Sequence, residues 1–235
     1  MNVALPTEAE LIALAAFDTP TICNALELVV PERRGYGYTT RAAVCGFPAM
    51  PPVVGFARTV RIRARHPSAL PAAELRRARH EYYRYIDSGP KPSIVLLQDL
   101  DDDAGYGAFW GEVQSAIHRG LGARAVVTDG SVRDIDQWAP DFQFLAAKIG
   151  PSHAFVHAVD FGGEIDVLGM HVASGDIVHA DRHGAVVVPA NAVSMLPEAA
   201  QLLARREGRI LSVARAPGCT ADLLMKAIGE ADQIH

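Results

Sequence analysis

Residues Gly107-Ala108-Phe109-Trp110-Gly111-Glu112-Val113-Gln114 open a run that continues through Ser115-Ala116-Ile117-His118-Arg119-Gly120 and closes on Thr128-Asp129-Gly130-Ser131-Val132-Arg133-Asp134. The apolar spacing from Val113 to Arg119 predicts one helix. Gly120 and Gly122 end it, since glycine weakens a helix and accepts the left-handed turn that closes one. Ala125 to Thr128 then reads as a short buried strand. A helix followed by a strand returns the chain near its starting point, so Glu112 and the Arg133-Asp134 pair, twenty residues on, are expected to meet. Two acids and a guanidinium at one place suit a divalent cation and an anionic substrate. The free N–H groups of a helix opening at Gly111 would add a site for a carboxylate or phosphate. Plainer readings stand beside these. Glu112 also serves as a first-turn charge against the helix dipole. Arg133-Asp134 also reads as an ion pair at a helix start, capped by Asp129 or Ser131 after an Asp129-Gly130 turn.

The flanking chain alternates helices and strands. Glu8 to Phe17 has helical spacing, and Asp18-Thr19-Pro20 opens a second helix to about Leu28. Residues 30–52 show no period. Val54 to Arg63 and Ser93 to Leu97 read as strands, separated by an amphipathic helix over Leu70 to Ile86 with Leu75, Ala78, Tyr82 and Ile86 on one stripe. Asp99 to Gly105 is an acidic loop. Short strands are expected over Phe142–Lys148, Ala154–Val159, Glu164–Leu168, Ile177–His179 and Ala185–Val188. Helices follow at about Ala192–Arg206 and Ala221–Ala231. One α/β domain over residues 1–235, with a β-rich second half, is the simplest organisation.

Bulk properties narrow the function. Half of the 235 residues are hydrophobic (49%), enough for a full core, and the net charge of −5 argues against nucleic acid as a partner. No apolar run approaches the roughly 18 residues of a membrane span. The start, Met1 to Pro6, lacks the basic and apolar regions of a secretory signal. Three widely spaced cysteines (Cys23, Cys45, Cys219) suit a reducing, cytoplasmic setting.

Other candidate sites are weaker. Five of nine histidines lie between His153 and His183. The pairs His153/His157 and His179/His183 would share a strand face and so qualify as transition-metal ligands, but no third ligand has matching spacing. Asp99, Asp101, Asp102 and Asp103 lack the calcium-loop pattern. Gly35-Tyr36-Gly37 and Gly105-Tyr106-Gly107 do not complete a dinucleotide fingerprint. Phe109, Trp110 and Trp138 read as core or interface. No lysine lies close to the Gly111–Asp134 motif; Lys148 is the nearest, so a Schiff base is disfavoured.

At Gly111-Glu112, the twenty-residue gap and Arg133-Asp134, the chain resembles the RraA-like family, which includes the 4-hydroxy-4-methyl-2-oxoglutarate and 4-carboxy-4-hydroxy-2-oxoadipate aldolases. The likeness extends through Gly130-Ser131-Val132-Arg133-Asp134, Val172 to Asp181 and Gly184 to Pro189, and covers about residues 15–230. The resemblance implies a β/β/α sandwich of the swivelling-domain type with flanking terminal helices, assembled as a homotrimer or hexamer. It implies a metal-dependent carbon–carbon lyase that cleaves a 4-hydroxy-2-oxo acid and also decarboxylates oxaloacetate. Asp134 would hold Mg²⁺ or Mn²⁺, with Glu112 acting through water and Glu207 of a neighbouring subunit approaching. Arg133 and the backbone of Gly111, Val113 and Gln114 would bind the substrate's pyruvyl part. Some relatives resemble inhibitors of ribonuclease E, which makes a non-catalytic regulator the alternative. Three departures mark a subgroup: Glu112 for the usual aspartate, Asn24 for aspartate, and Arg182-His183 for an acidic pair. The tyrosine-rich helix over 70–86 is added material, and Arg182 and His183 are candidates for a second substrate carboxylate or a sugar hydroxyl, with a plain surface position as the other reading.

Overall fold

The computed structural model describes residues 5–235, so the signal-peptide reading of Met1 to Ala4 lies outside the described residues. Two capped helices lead the chain. Thr7 and Glu10 form a reciprocal capping box at α1 (Glu8–Leu14), and the Asp18 side chain accepts from Thr21 N–H at 2.9 Å to open α2 (Thr19–Val29). The helix expected to reach Phe17 stops at Leu14. The buried His179 ring explains the stop: its Nε2 lies 3.3 Å from Leu14 O and 3.0 Å from Phe17 O, so both carbonyls turn toward the ring.

The unperiodic stretch holds one short 3₁₀ turn and a two-residue strand, β1 (Val44–Cys45). There follow β2 (Val53–Arg63), α3 (Ala72–Ser88), β3 (Ser93–Asp99), β4 (Ala108–Trp110), α4 (Glu112–Gly120), β5 (Ala123–Val132) and β6 (Gln143–Ile149). The β-rich half adds β7 (His157–Phe161), β8 (Ile165–Val167), β9 (Met170–Val172), β10 (Ile177–Asp181) and β11 (Gly184–Val188), then helices α5 (Leu196–Ala214) and α6 (Ala221–Ala231). The main sheet runs β1-β6-β5-β3-β2-β10-β11, with β4 beside β5 and β7 beside β2. Strands β2, β3, β5 and β6 are parallel. Parallel strands are covered on both faces, which is why β3 and β5 read as nearly unbroken apolar runs.

One face, with Ala57, Ile94, Leu96, Ala125, Val127 and Leu145, is covered by the β8–β9 hairpin through Ile165, Val167, Met170 and Val172. The other face, with Val60, Ile62, Val95, Leu97, Val126 and Phe144, packs beneath α3 and the aromatic cluster around Trp110. A third cluster joins α1, α2 and α5 to β10, β11 and the start of β2. This layering of hairpin, sheet and helices is the β/β/α sandwich.

Three strands were not expected: the two-residue β1, and β4 and β9. β9 completes a hairpin whose tight turn places Leu168 and Gly169 at positive φ. β4 is only three residues long, too short for a periodicity signal. Its anchor is Trp110, fully buried against Phe142 and His118. Burial of that ring contributes on the order of 2–3 kcal/mol. The Asp129-Gly130 turn is corrected: both residues lie inside β5. Thr128 Oγ1 accepts from Gly130 N–H at 2.8 Å, and the pairing with β6 shifts register there, so the pair forms an irregularity within a strand. Among the described residues no single helix is long and apolar enough to cross a membrane.

Candidate functional site

β4, α4 and β5 bring the separated motif together. β4 pairs in parallel with the end of β5, Trp110 opposite Val132, and Arg133 N–H donates to Trp110 O at 2.9 Å. The twenty-residue spacer is therefore a helix and a strand that bring the chain back beside its starting point. Gly111, immediately after β4, lies directly against Asp134, immediately beyond β5. A methyl group at Gly111 would stand 2.5 Å from Asp134 Oδ2 and 3.2 Å from Arg133 Cγ. Glycine leaves the Asp134 carboxylate its place here, and a larger residue would displace it; the φ of −170° is open to any residue.

Asp134 adopts a left-handed backbone, φ 54° and ψ 42°. Such a conformation costs a non-glycine residue of order 1–3 kcal/mol and gathers at functional sites. It heads a single 3₁₀ turn with no side-chain cap, so neither Asp129 nor Ser131 caps it. Arg133 Nε lies 3.4 Å from Asp134 Oδ2, and the two side chains are 36% and 37% exposed. A half-exposed, long contact of this kind contributes little to stability, and both groups remain available to a ligand.

The N-terminus of α4 faces the same place. Gly111 has no side chain to cap it, and the helix's first internal bond is Ser115 N–H to Gly111 O at 3.0 Å. Glu112 N–H donates to Asp134 Oδ2 at 3.4 Å. The N–H groups of Val113 and Gln114 have no acceptor within the helix. Gly111, Val113, Gln114, Arg133 and Asp134 all line one cavity of about 450 Å³. The Glu112 side chain is exposed beside it and does not line it. Glu207 is exposed on α5, away from this cavity.

Residues not expected at the site complete the cavity. Tyr82 and Tyr83 of α3, Phe109 of β4, and His153, Val156, His157 and Ala158 line it. Tyr82 OH lies 2.7 Å from the buried His118 Nε2, and His118 Nδ1 lies 2.7 Å from Gln114 O. A carbonyl only accepts, so Nδ1 carries the proton and Tyr82 donates to Nε2. Burial pushes the His118 pKa down to about 4, which keeps the ring neutral at pH 7. Tyr83 OH donates to Gln114 Oε1 at 3.2 Å. These two bonds fasten α3 over the start of α4. The sequence signal was the stripe on α3: Tyr82 and Ile86 enter the core, while Leu75 and Ala78 continue it into the cavity wall.

The histidine pairs do not form metal centres as paired strand ligands. His179 is committed to Thr19 Oγ1 at 3.0 Å and to two carbonyls, and His183 to Asp181. His153 precedes β7, so it shares no strand with His157. Among the described residues no three His, Cys, Asp or Glu side chains converge. Asp134 nevertheless fits a hard cation that keeps several waters, because Mg²⁺ and Mn²⁺ accept one or two carboxylates and complete the shell with water and substrate oxygens. The bare Gly111 backbone leaves the Asp134 carboxylate the space to serve.

A family model described as RraA-like, Aldolase/RraA, matches residues 19–187. Comparison with curated proteins gives no significant match. Among solved structures, an uncharacterized protein from Pseudomonas syringae pv. tomato str. DC3000 is similar at 20% identity and TM-score 0.71, covering 98% of this chain and 97% of its own. RraAS2 of Streptomyces coelicolor, an unusual member of the RNase ES inhibitor RraA protein family, is similar at 18% identity and TM-score 0.66, covering 87% and 96%. The RNA-processing inhibitor RraA from Thermus thermophilis is similar at 17% identity and TM-score 0.51, covering 70% and 90%. Identities this low speak for the fold, and the family match runs through the whole Gly111-to-Asp134 unit and the strands that hold it; the chain belongs to the RraA-like, Aldolase/RraA, family.

Proposed function

We propose that the protein is a divalent-metal-dependent carbon–carbon lyase that releases pyruvate from a 4-hydroxy-2-oxo acid, with oxaloacetate decarboxylation as a second activity. The observation that carries this reading is the convergence of Arg133, Asp134 and the uncapped N-terminus of α4 in one cavity. In cleavage, the C4 hydroxyl loses its proton and becomes a carbonyl as the C3–C4 bond breaks. The electron pair moves onto the 2-oxo group, giving the pyruvate enolate, which is reprotonated at C3. Arg133 binds the 2-oxo acid head and stabilises the negative charge as it grows on that oxygen. The N–H groups of Val113 and Gln114 hold the substrate carboxylate. Asp134 holds Mg²⁺ or Mn²⁺, and the ion when bound supplies Lewis-acid stabilisation of the same developing charge. Glu112, which stands beside the cavity rather than in its wall, acts only through a water, and that water takes the hydroxyl proton. Assembly as a homotrimer or hexamer, with Glu207 of a neighbouring subunit near the metal, and a cytoplasmic location belong to the same proposal.

The test is pyruvate release from oxaloacetate by chelator-stripped protein, with and without Mg²⁺ or Mn²⁺. Release should need the ion and fall at least about 100-fold in Arg133→Ala, as expected when a preorganised donor to a developing anion is lost. Release no faster than the ion alone overturns the reading. The likeness to RraAS2 and RraA favours a second reading, a regulator of a ribonuclease E-type enzyme. A regulator would keep its binding after Asp134→Ala, whereas the lyase would lose its activity.

A further inference from the structure

Helix α3 brings charge as well as cover. Arg76 and Arg79 line the cavity together with Tyr83. These residues, spaced three and four apart, form one stripe beside Leu75, Ala78 and Tyr82. The stripe is held in place by the Tyr82–His118 and Tyr83–Gln114 bonds. Among the described residues neither Arg76 nor Arg79 has an ion-pair partner, while Arg77, pointing elsewhere, pairs with Glu81 at 3.9 Å. Adjacent like charges on a helix repel one another weakly, and an exposed, unpaired arginine couple lining a cavity is free to take an anion that enters it. The cavity lining carries three arginines, Arg76, Arg79 and Arg133, against the single carboxylate of Asp134. His153 and His157 lie on the same wall, each with Nδ1 held by a backbone carbonyl, at 2.7 Å and 2.8 Å. Arg182 and His183, the sequence candidates for a second carboxylate, lie on the β10–β11 turn outside this cavity.

We propose that Arg76 and Arg79 are specificity residues that read a second negative charge, borne on the fragment that leaves when the substrate is cleaved. The proposal rests on the lyase reading, in which Arg133 and the start of α4 hold the 2-oxo acid head. A substrate with a neutral tail satisfies Arg133 alone. One with an anionic tail also neutralises the α3 couple.

Two unreactive ligands separate the ends of the site. 2-Oxoglutarate and 2-oxopentanoate share the 2-oxo acid head and the five-carbon chain, and only the first has a distal carboxylate. Their binding is measured calorimetrically in the presence of Mg²⁺. The wild-type protein should bind 2-oxoglutarate about 10- to 100-fold more tightly, the advantage of charge-assisted hydrogen bonds. Arg76→Gln/Arg79→Gln should reduce that advantage to within about threefold while leaving 2-oxopentanoate unchanged. Arg133→Ala should weaken both ligands. Both α3 arginines are exposed and glutamine is a good helix former, so the double variant should fold; a lysine pair at the same positions should restore part of the preference. Equal binding of the two ligands by the wild type, or equal weakening of both by the glutamine pair, overturns the α3 assignment alone. Failure of the wild type to bind either ligand overturns the lyase reading and this proposal with it.

Discussion

Replacing Gly111 with alanine should separate the site's chemistry from the protein's stability. The added methyl would stand 2.5 Å from Asp134 Oδ2, where ordinary contact begins at 3.4 Å. The carboxylate must therefore retreat by about 1 Å. Asp134 is 37% exposed and its Oδ2 makes only two long contacts, both 3.4 Å, to Arg133 Nε and Glu112 N–H, so moving it costs the fold little. The backbone at φ −170° accepts alanine without strain. Poorer N-capping by alanine adds about 1 kcal/mol at most. For the reaction the same displacement is severe, because a misplacement of about 1 Å in a catalytic array costs on the order of 100-fold in rate. The expected result is a roughly 100-fold fall in kcat/KM for oxaloacetate decarboxylation with a loss of about 1 kcal/mol in denaturant unfolding. Gly120→Ala is the matched control. Nothing lies within 4 Å of its added methyl, so activity should hold and stability rise by up to about 1 kcal/mol. Wild-type activity in Gly111→Ala would refute the role assigned to the Asp134 carboxylate. A loss of more than about 3 kcal/mol in stability would show that Gly111 serves the core instead.

Two further expectations concern pH. His118 is neutral in the fold, with its pKa pushed from 6.5 down to about 4 by burial, so the unfolded chain binds its proton first as pH falls. Stability is full above pH 6.5 and should decline by up to about 3 kcal/mol as pH drops toward 4; unfolding free energies across that window should flatten in His118→Gln, and an unchanged slope would contradict the assignment. Asp129 has the opposite sign: burial, with a contribution from Asp99, pushes its carboxyl up to about 6. Its ionisation therefore weakens the fold as pH rises from about 4 through 6. Asp129→Asn keeps an oxygen for Asp99 N–H, now 2.7 Å away, and should stabilise the protein by about 1–3 kcal/mol at pH 8 with no gain at pH 3.5.

Local sequence made much of the site legible. Helix α4 and strand β5 carry their own periodicity and their own stops. Gly111, Glu112, Arg133 and Asp134 were placed together from the connection between those elements alone, and α6 lies on the residues expected for it. What was missed depends on partners distant in the chain. β4 is a strand only because the end of β5 and the aromatic cluster around Trp110 receive it. The end of α1 is set by a ring 165 residues away, His179. The Asp129-Gly130 pair carries turn chemistry, yet β6 pairs with Thr128 before it and Ser131 after it and keeps it within the strand.

The sequence by itself determined one α/β domain and the pair of motif ends that meet at the cavity, because periodicity, capping and spacing are local and survive in any context; the family and the sandwich came from the resemblance its motifs carry. Only the tertiary structure decided what the cavity presents to a substrate. Arg76, Arg79 and Tyr83 lie some thirty residues before the motif on a helix whose stripe reads as ordinary core. Two hydrogen bonds, the buried Tyr82 to His118 and the half-buried Tyr83 to Gln114, fasten that helix over α4. Such bonds form only between surfaces already packed, so no pattern within either segment encodes which face of α3 meets the ligand.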